Sequence, residues 1–142
     1  MPRAPRQMRL TAAHVARVHR EIPDPGIQVM PGFRPATDDD FNAIVAEILA
    51  TQPAGPLWLF AYGSLIWRPE TAFVESRQAV VRGWHRRFCL GWDYRFRGNR
   101  EAPGLMLALD RGGQCRGMLY RLPDDVLENE LHKLIRREVS MV

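Results

Sequence analysis

At 142 residues, 46% of them hydrophobic and 25% charged, the chain has the size and composition of one globular domain and is too apolar for a disordered one. Its net charge of +4 is carried almost wholly by arginine, with Lys133 the one lysine. Arginine's planar fork suits the carboxylates of a small anionic substrate as well as the phosphates of a nucleic acid, so charge excludes neither.

No apolar run reaches the length of a membrane span. The basic stretch Met1–Arg9 lacks the apolar core of a signal peptide. The two cysteines, Cys89 and Cys115, are therefore expected to be reduced and the chain cytoplasmic, with no membrane partner.

The first stretch, 1–55, reads as an N-terminal helical arm, and 56–142 as the domain on which it packs. Leu10–His19 has helical character with Thr11 placed as its cap. Pro23-Asp-Pro-Gly26 is a turn. Thr37 then caps a second helix, with Asp40 at the capping-box position, and Phe41, Ile44, Val45, Ile48 and Leu49 form its apolar face.

From Leu57 the pattern turns to strands. Leu57–Tyr62 is large and aromatic throughout and predicts a buried strand ending at Gly63-Ser64. Ala79–Trp84 and Arg87–Trp92 predict the next strand or strands. Gly104–Asp110 and Cys115–Arg121 predict a hairpin closed by Asp110-Arg-Gly-Gly113. Pro123-Asp-Asp125 opens a last helix. Short strands with glycines at the bends imply an α+β fold built on a small, curved, mostly antiparallel sheet or barrel.

Three features carry chemistry. The turn after Tyr62 presents successive backbone N–H groups and the Ser64 hydroxyl, a donor set for a carboxylate, although a lone Tyr-Gly-Ser is equally an ordinary strand-ending turn. In the last helix Leu127, Leu131 and Leu134 form the apolar stripe, and Glu138 falls in the same stripe if the helix runs that far. A carboxylate held there would gain the proton affinity of a general base; if the helix ends near Arg136, Glu138 simply pairs with a neighbouring arginine. Finally, aromatics interleave with arginines from Trp84 to Arg100, as in RNA binders and equally in a surface strand pair. His85 and Cys89 share a strand face without further ligand types nearby, so no metal is expected.

Taken in order, Phe60-Ala-Tyr-Gly-Ser-Leu-Ile-Trp67, Gly83-Trp-His-Arg-Arg-Phe-Cys89, Arg97–Gly104, Cys115–Pro123 and Arg136-Arg-Glu138 resemble the ChaC family of gamma-glutamylcyclotransferases. The resemblance implies a small mixed β-barrel with flanking helices and a lyase that cuts glutathione into 5-oxoproline and cysteinylglycine. It implies that Tyr62, Gly63, Ser64 and Leu65 hold the glutamyl end of the substrate, that Glu138 is the catalytic acid/base, and that neither cofactor nor nucleic acid takes part. Members of the family continue past the Arg-Arg-Glu motif, so the C-terminal part of the domain is expected to be missing. The alternative is a non-catalytic module binding a gamma-glutamyl ligand, or RNA through 84–100.

Overall fold

The computed structural model describes residues 12–18, 23, 26, 29 and 31–142. The cap expected at Thr11 and the Asp24-Pro25 centre of the expected turn lie outside the described residues. Helix α1 spans Ala12–Val18 and α2 spans Asp38–Thr51. The start of α2 is built as the sequence predicts. Asp40 donates its amide to Thr37 Oγ1, and its carboxylate accepts from the Thr37 amide at 2.8 Å. Arg34 adds a two-pronged bond to the same carboxylate, at 2.6 and 2.7 Å. That guanidinium holds the Asp40 carboxyl well below the usual carboxylate range.

Strand β1 is Trp58–Ala61, and a 3₁₀ turn follows at Ser64–Ile66. Strands β2 (Glu75–Arg87), β3 (Trp92–Asp93), β4 (Gly104–Leu105) and β5 (Ala108–Arg121) precede a second 3₁₀ turn, Asp124–Val126, and helix α3, Leu127–Glu138. All pairings between strands are antiparallel. One sheet has the order β1-β5-β2, and β3 pairs with β4 separately. The architecture is α+β.

Two expectations about the strands are corrected. No hairpin turn forms at Asp110–Gly113, because β5 runs straight through it and pairs with β2 from Arg121↔Glu75 to Ala108↔Arg87. The positive φ values of Gly112 (100°) and Gly113 (66°) instead make a bulge opposite Gly83, itself at φ 84°. One extra residue is accommodated on β5, and both strands continue. Likewise Phe88–Gly91 leaves the sheet, so Arg87–Trp92 is not one strand.

β1 pairs only with β5, so it is an edge strand among the described residues and is half-buried except for Ala61. Three strands with β1 and β2 on opposite sides of β5 do not close on themselves, and the described residues form an open sheet in place of the expected barrel. Phe60, Ala79, Val81, Trp84, Leu109 and Leu119 line a cavity of about 480 Å³ on that sheet.

The core lies between the helices and the end of β5. Val45 of α2, Leu122 just after β5, and Leu131 and Leu134 of α3 are buried together, with Ile48, Leu49, Leu57, Leu59 and Leu127 packed around them. Each such side chain contributes about 1.5–3 kcal/mol by leaving water. Backbone bonds add a second tie. Arg34 and Val142 exchange N–H···O bonds at 2.9 Å, and the Ala36 amide donates to Ser140 O. The entry to α2 is thereby laced to the residues that follow α3.

Candidate active site

β1 delivers Tyr62-Gly63-Ser64-Leu65 at its C-terminal end. Its path depends on Gly117 of β5, where any Cβ would strike the Ala61 carbonyl and the Phe60 ring, so only glycine lets β1 lie this close. Beyond Ala61 the chain tightens into the 3₁₀ turn. The Ile66 amide donates to Gly63 O, and the Trp67 and Arg68 amides donate to Ser64 O. The amides of Gly63, Ser64 and Leu65 find no acceptor among the described residues, and nothing lies within 4 Å of where a Gly63 side chain would stand. The turn is fastened from below by Tyr120, whose hydroxyl donates to Ile66 O at 2.9 Å and whose ring meets Phe73 at 4.7 Å.

α3 approaches the same turn with its last residues. The helix reaches Glu138, so this acid does share the angular position of Leu127, Leu131 and Leu134. It is not held away from water, however: its side chain is 51% exposed. The helical angle was right, but the core runs out after Leu134 and Ile135, so the same face meets solvent one turn later. Glu138 pairs with Arg137 Nε at 3.2 Å.

The acid that α3 does bury is Glu130, 4% exposed, three residues after Leu127 and so at the margin of the apolar stripe. It accepts from Thr71 Oγ1 at 2.8 Å, from the Ala72 amide at 2.7 Å and from Lys133 Nζ at 2.6 Å. These bonds anchor the segment between the 3₁₀ turn and β2. No signal in the helix alone points to this role, because the partners lie 58 and 59 residues away.

Arg137 brings loop and helix together. It donates to Arg68 O at 2.7 Å and, over a longer 3.4 Å, to Ser64 Oγ, and it pairs with Glu70 at 3.3 Å. Tyr62 registers the outcome. Its hydroxyl pKa is raised, first by burial and then by the negative charge of Glu138. The four loop residues and Glu138 thus gather at one end of the fold, bridged by a guanidinium that the motif contains but that sequence reasoning left without a role.

The other candidates lie elsewhere. His85 Nδ1 is 2.9 Å from Gly112 O, at the bulge, and Cys89 is exposed beyond the end of β2. Among the described residues, no three His, Cys, Asp or Glu side chains group to hold a metal, and no helix is long and apolar enough to cross a membrane. Trp84, Phe88, Trp92 and Phe96 of the Arg/aromatic segment are all exposed.

Known proteins are similar to this chain. A glutathione-specific gamma-glutamylcyclotransferase of Escherichia coli is 48% identical over 68% of this chain and 42% of its own length. A human glutathione-specific gamma-glutamylcyclotransferase 1 is 40% identical over 60% of the chain and 39% of its own length. The chain therefore spans less than half the length of these relatives. A crystal structure of a yeast gamma-glutamyl cyclotransferase specific to glutathione superposes with a TM-score of 0.52 at 21% identity, covering 58% of this chain and 48% of that one, which supports the fold. The family model described as ChaC-like protein matches residues 57–141, from β1 through the last turn of α3 and beyond it. The chain belongs to the ChaC-like family.

Proposed function

We propose that this chain carries the glutamyl-binding loop and the acid/base of a glutathione-specific gamma-glutamylcyclotransferase that acts without a cofactor. The observation that carries the reading is the convergence of Tyr62–Leu65 and Glu138 at one end of the fold, close enough for the charge of Glu138 to bear on Tyr62. The names of the bacterial and mammalian relatives support the choice of substrate.

In this reading the unpaired amides of Gly63, Ser64 and Leu65 and the Ser64 hydroxyl hold the alpha-carboxylate of the gamma-glutamyl group. The alpha-amine of the same group then attacks its own gamma-carbonyl carbon. A new C–N bond closes the five-membered lactam, and the C–N bond to cysteine breaks. Glu138 takes a proton from the alpha-ammonium, freeing the lone pair that attacks, and returns it to the departing amine of cysteinylglycine, which also takes up the second proton shed by the ring nitrogen and leaves as an ammonium. No enzyme nucleophile is needed, because nucleophile and electrophile belong to one molecule. Positioning then contributes the larger share, about 7–11 kcal/mol, and proton transfer about 10²–10⁴-fold. Glu138 is half exposed, so the substrate itself must supply the cover, excluding water from between amine and carboxylate as it seats on the loop. The open sheet, on the same reading, is the wall of a barrel that further strands on its free edges would close.

The test is 5-oxoproline release from glutathione, compared with gamma-glutamyl-alanine, by the full-length protein. Release from glutathione that disappears in Glu138→Gln is expected. A folded Glu138→Gln protein with full release overturns the role of Glu138, and equal release from both substrates overturns the specificity.

A second reading, a non-catalytic RNA-binding module, draws on the exposure of Trp84, Phe88, Trp92 and Phe96 between arginines. It requires an affinity for single-stranded RNA that falls steeply with salt. The cyclotransferase reading expects no such binding.

A further inference from the structure

Arg137 links the loop side of the candidate site, at Ser64, to the helix side, at Glu138. It is only 23% exposed, and its partners are the Ser64 hydroxyl, the Arg68 carbonyl, the Glu70 carboxylate and the Glu138 carboxylate. A guanidinium carries five N–H donors and no acceptor. Whatever it bonds must therefore accept, and that fixes the sense of each contact. Ser64 Oγ accepts from Arg137, which leaves the serine's own hydrogen free to point away from the guanidinium and donate to a ligand. The Arg68 carbonyl, two residues after the 3₁₀ turn, is held by the same group, and so is Glu70, a non-glycine residue in the left-handed region at φ 51°. Such a backbone conformation persists only when its surroundings hold it.

We propose that Arg137 is the positioning residue of this site: it sets the Ser64 hydroxyl as a donor toward the substrate carboxylate and holds the 64–70 segment and Glu138 in one frame. The functional half of the proposal rests on the cyclotransferase reading above, and the structural half does not. Lysine cannot replace it fully. An ammonium on a flexible stem keeps the charge but lacks the planar fork that spans Ser64 and Arg68 while Nε faces Glu138.

The experiment compares the full-length protein with Arg137→Gln and Arg137→Lys by amide hydrogen exchange and by steady-state turnover of glutathione. Arg137→Gln is expected to speed exchange at Ile66, Trp67 and Arg68 by about tenfold or more, the loss of hydrogen bonds from a charged group. The Leu122 amide, bonded to Leu57 O in the core, should be unchanged. KM should rise by more than kcat falls, with Arg137→Lys intermediate in both readouts. Unchanged exchange at the three turn amides, or an equal increase at Leu122, overturns the proposal. If Arg137→Gln does not fold, Arg137→Lys is judged by the same comparison. If the parent protein releases no 5-oxoproline, the cyclotransferase reading falls alone, and the exchange comparison still decides whether Arg137 holds the loop.

Discussion

The carboxylate of Glu130 lies 2.7 Å from the backbone nitrogen of Ala72, joining the first turn of α3 to the segment that leads from the candidate site into β2. A charged acceptor in a dry position is worth most when all its partners are present. Replacing Glu130 with alanine strands the Ala72 amide and the Thr71 hydroxyl, while the exposed Lys133 ammonium returns to water. We expect a loss of about 1.5–3 kcal/mol in urea denaturation, and a smaller one for Glu130→Gln, which keeps the shape. A Glu130→Ala protein within 0.5 kcal/mol of the parent, the range of an ordinary surface change, would show that these bonds do not hold the segment.

The same residue gives the fold an acid limit. Lys133 beside it holds the Glu130 carboxyl below its ordinary value; burial opposes this, and the Ala72 and Thr71 bonds add to it. A depressed carboxyl contributes stability that is complete above its unfolded value, about 4.3, and lost as pH falls through the lower folded value. Asp40 beside Arg34 and Asp110 beside Arg87 act in the same direction. The urea midpoint should therefore fall as the pH drops below about 4, and less steeply in Glu130→Gln. An equal slope in that variant would remove Glu130 from the account.

Tyr62 offers a measure of the site that needs no turnover. Its phenol should ionise above the usual value of about 10, because it is partly buried and faces the charge of Glu138. Ultraviolet titration, with Tyr62→Phe to identify the signal, should show the midpoint moving back down in Glu138→Gln without reaching the free value. A midpoint indifferent to Glu138 would mean that the two groups do not share a site.

Gly117 tests how the loop is delivered. An alanine there meets the Ala61 carbonyl and the Phe60 ring, so β1 must move away from β5. Overpacking of this kind costs about 1–3 kcal/mol. Gly117→Ala should lower the thermal midpoint and, on the cyclotransferase reading, weaken glutathione binding with it. A neutral substitution would show that β1 approaches β5 less closely than described.

Local chemistry made part of this molecule legible from sequence. Thr37 and Asp40 announced the start of α2 because a capping box is complete within four residues, and Leu127, Leu131 and Leu134 announced the buried face of α3. Asp110-Arg-Gly-Gly113 misled because two glycines permit positive φ without saying whether the chain reverses or bulges. Only Gly83, on another strand, decides that. At the site, the nearness of the Tyr62–Leu65 loop to Glu138 was readable through the ordered motifs of the family. The exposure of Glu138 was not, because periodicity gives an angle around a helix and says nothing about where along it the core stops. Arg137 and Glu130 act on residues distant in the chain, which no local pattern encodes.

The backbone lacing of 34–36 to 140–142 has a practical meaning for anyone trimming or tagging this protein. The turn that presents Glu138 is steadied from behind by residues that a sequence map would assign to a dispensable leader. Arg136, bonded to Asp38 and stacked on Phe41, tightens the same seam. Cutting the chain just before α2 would thus be felt at the acid first, as a loosened reach toward the loop, while the sheet that carries the loop stayed in place.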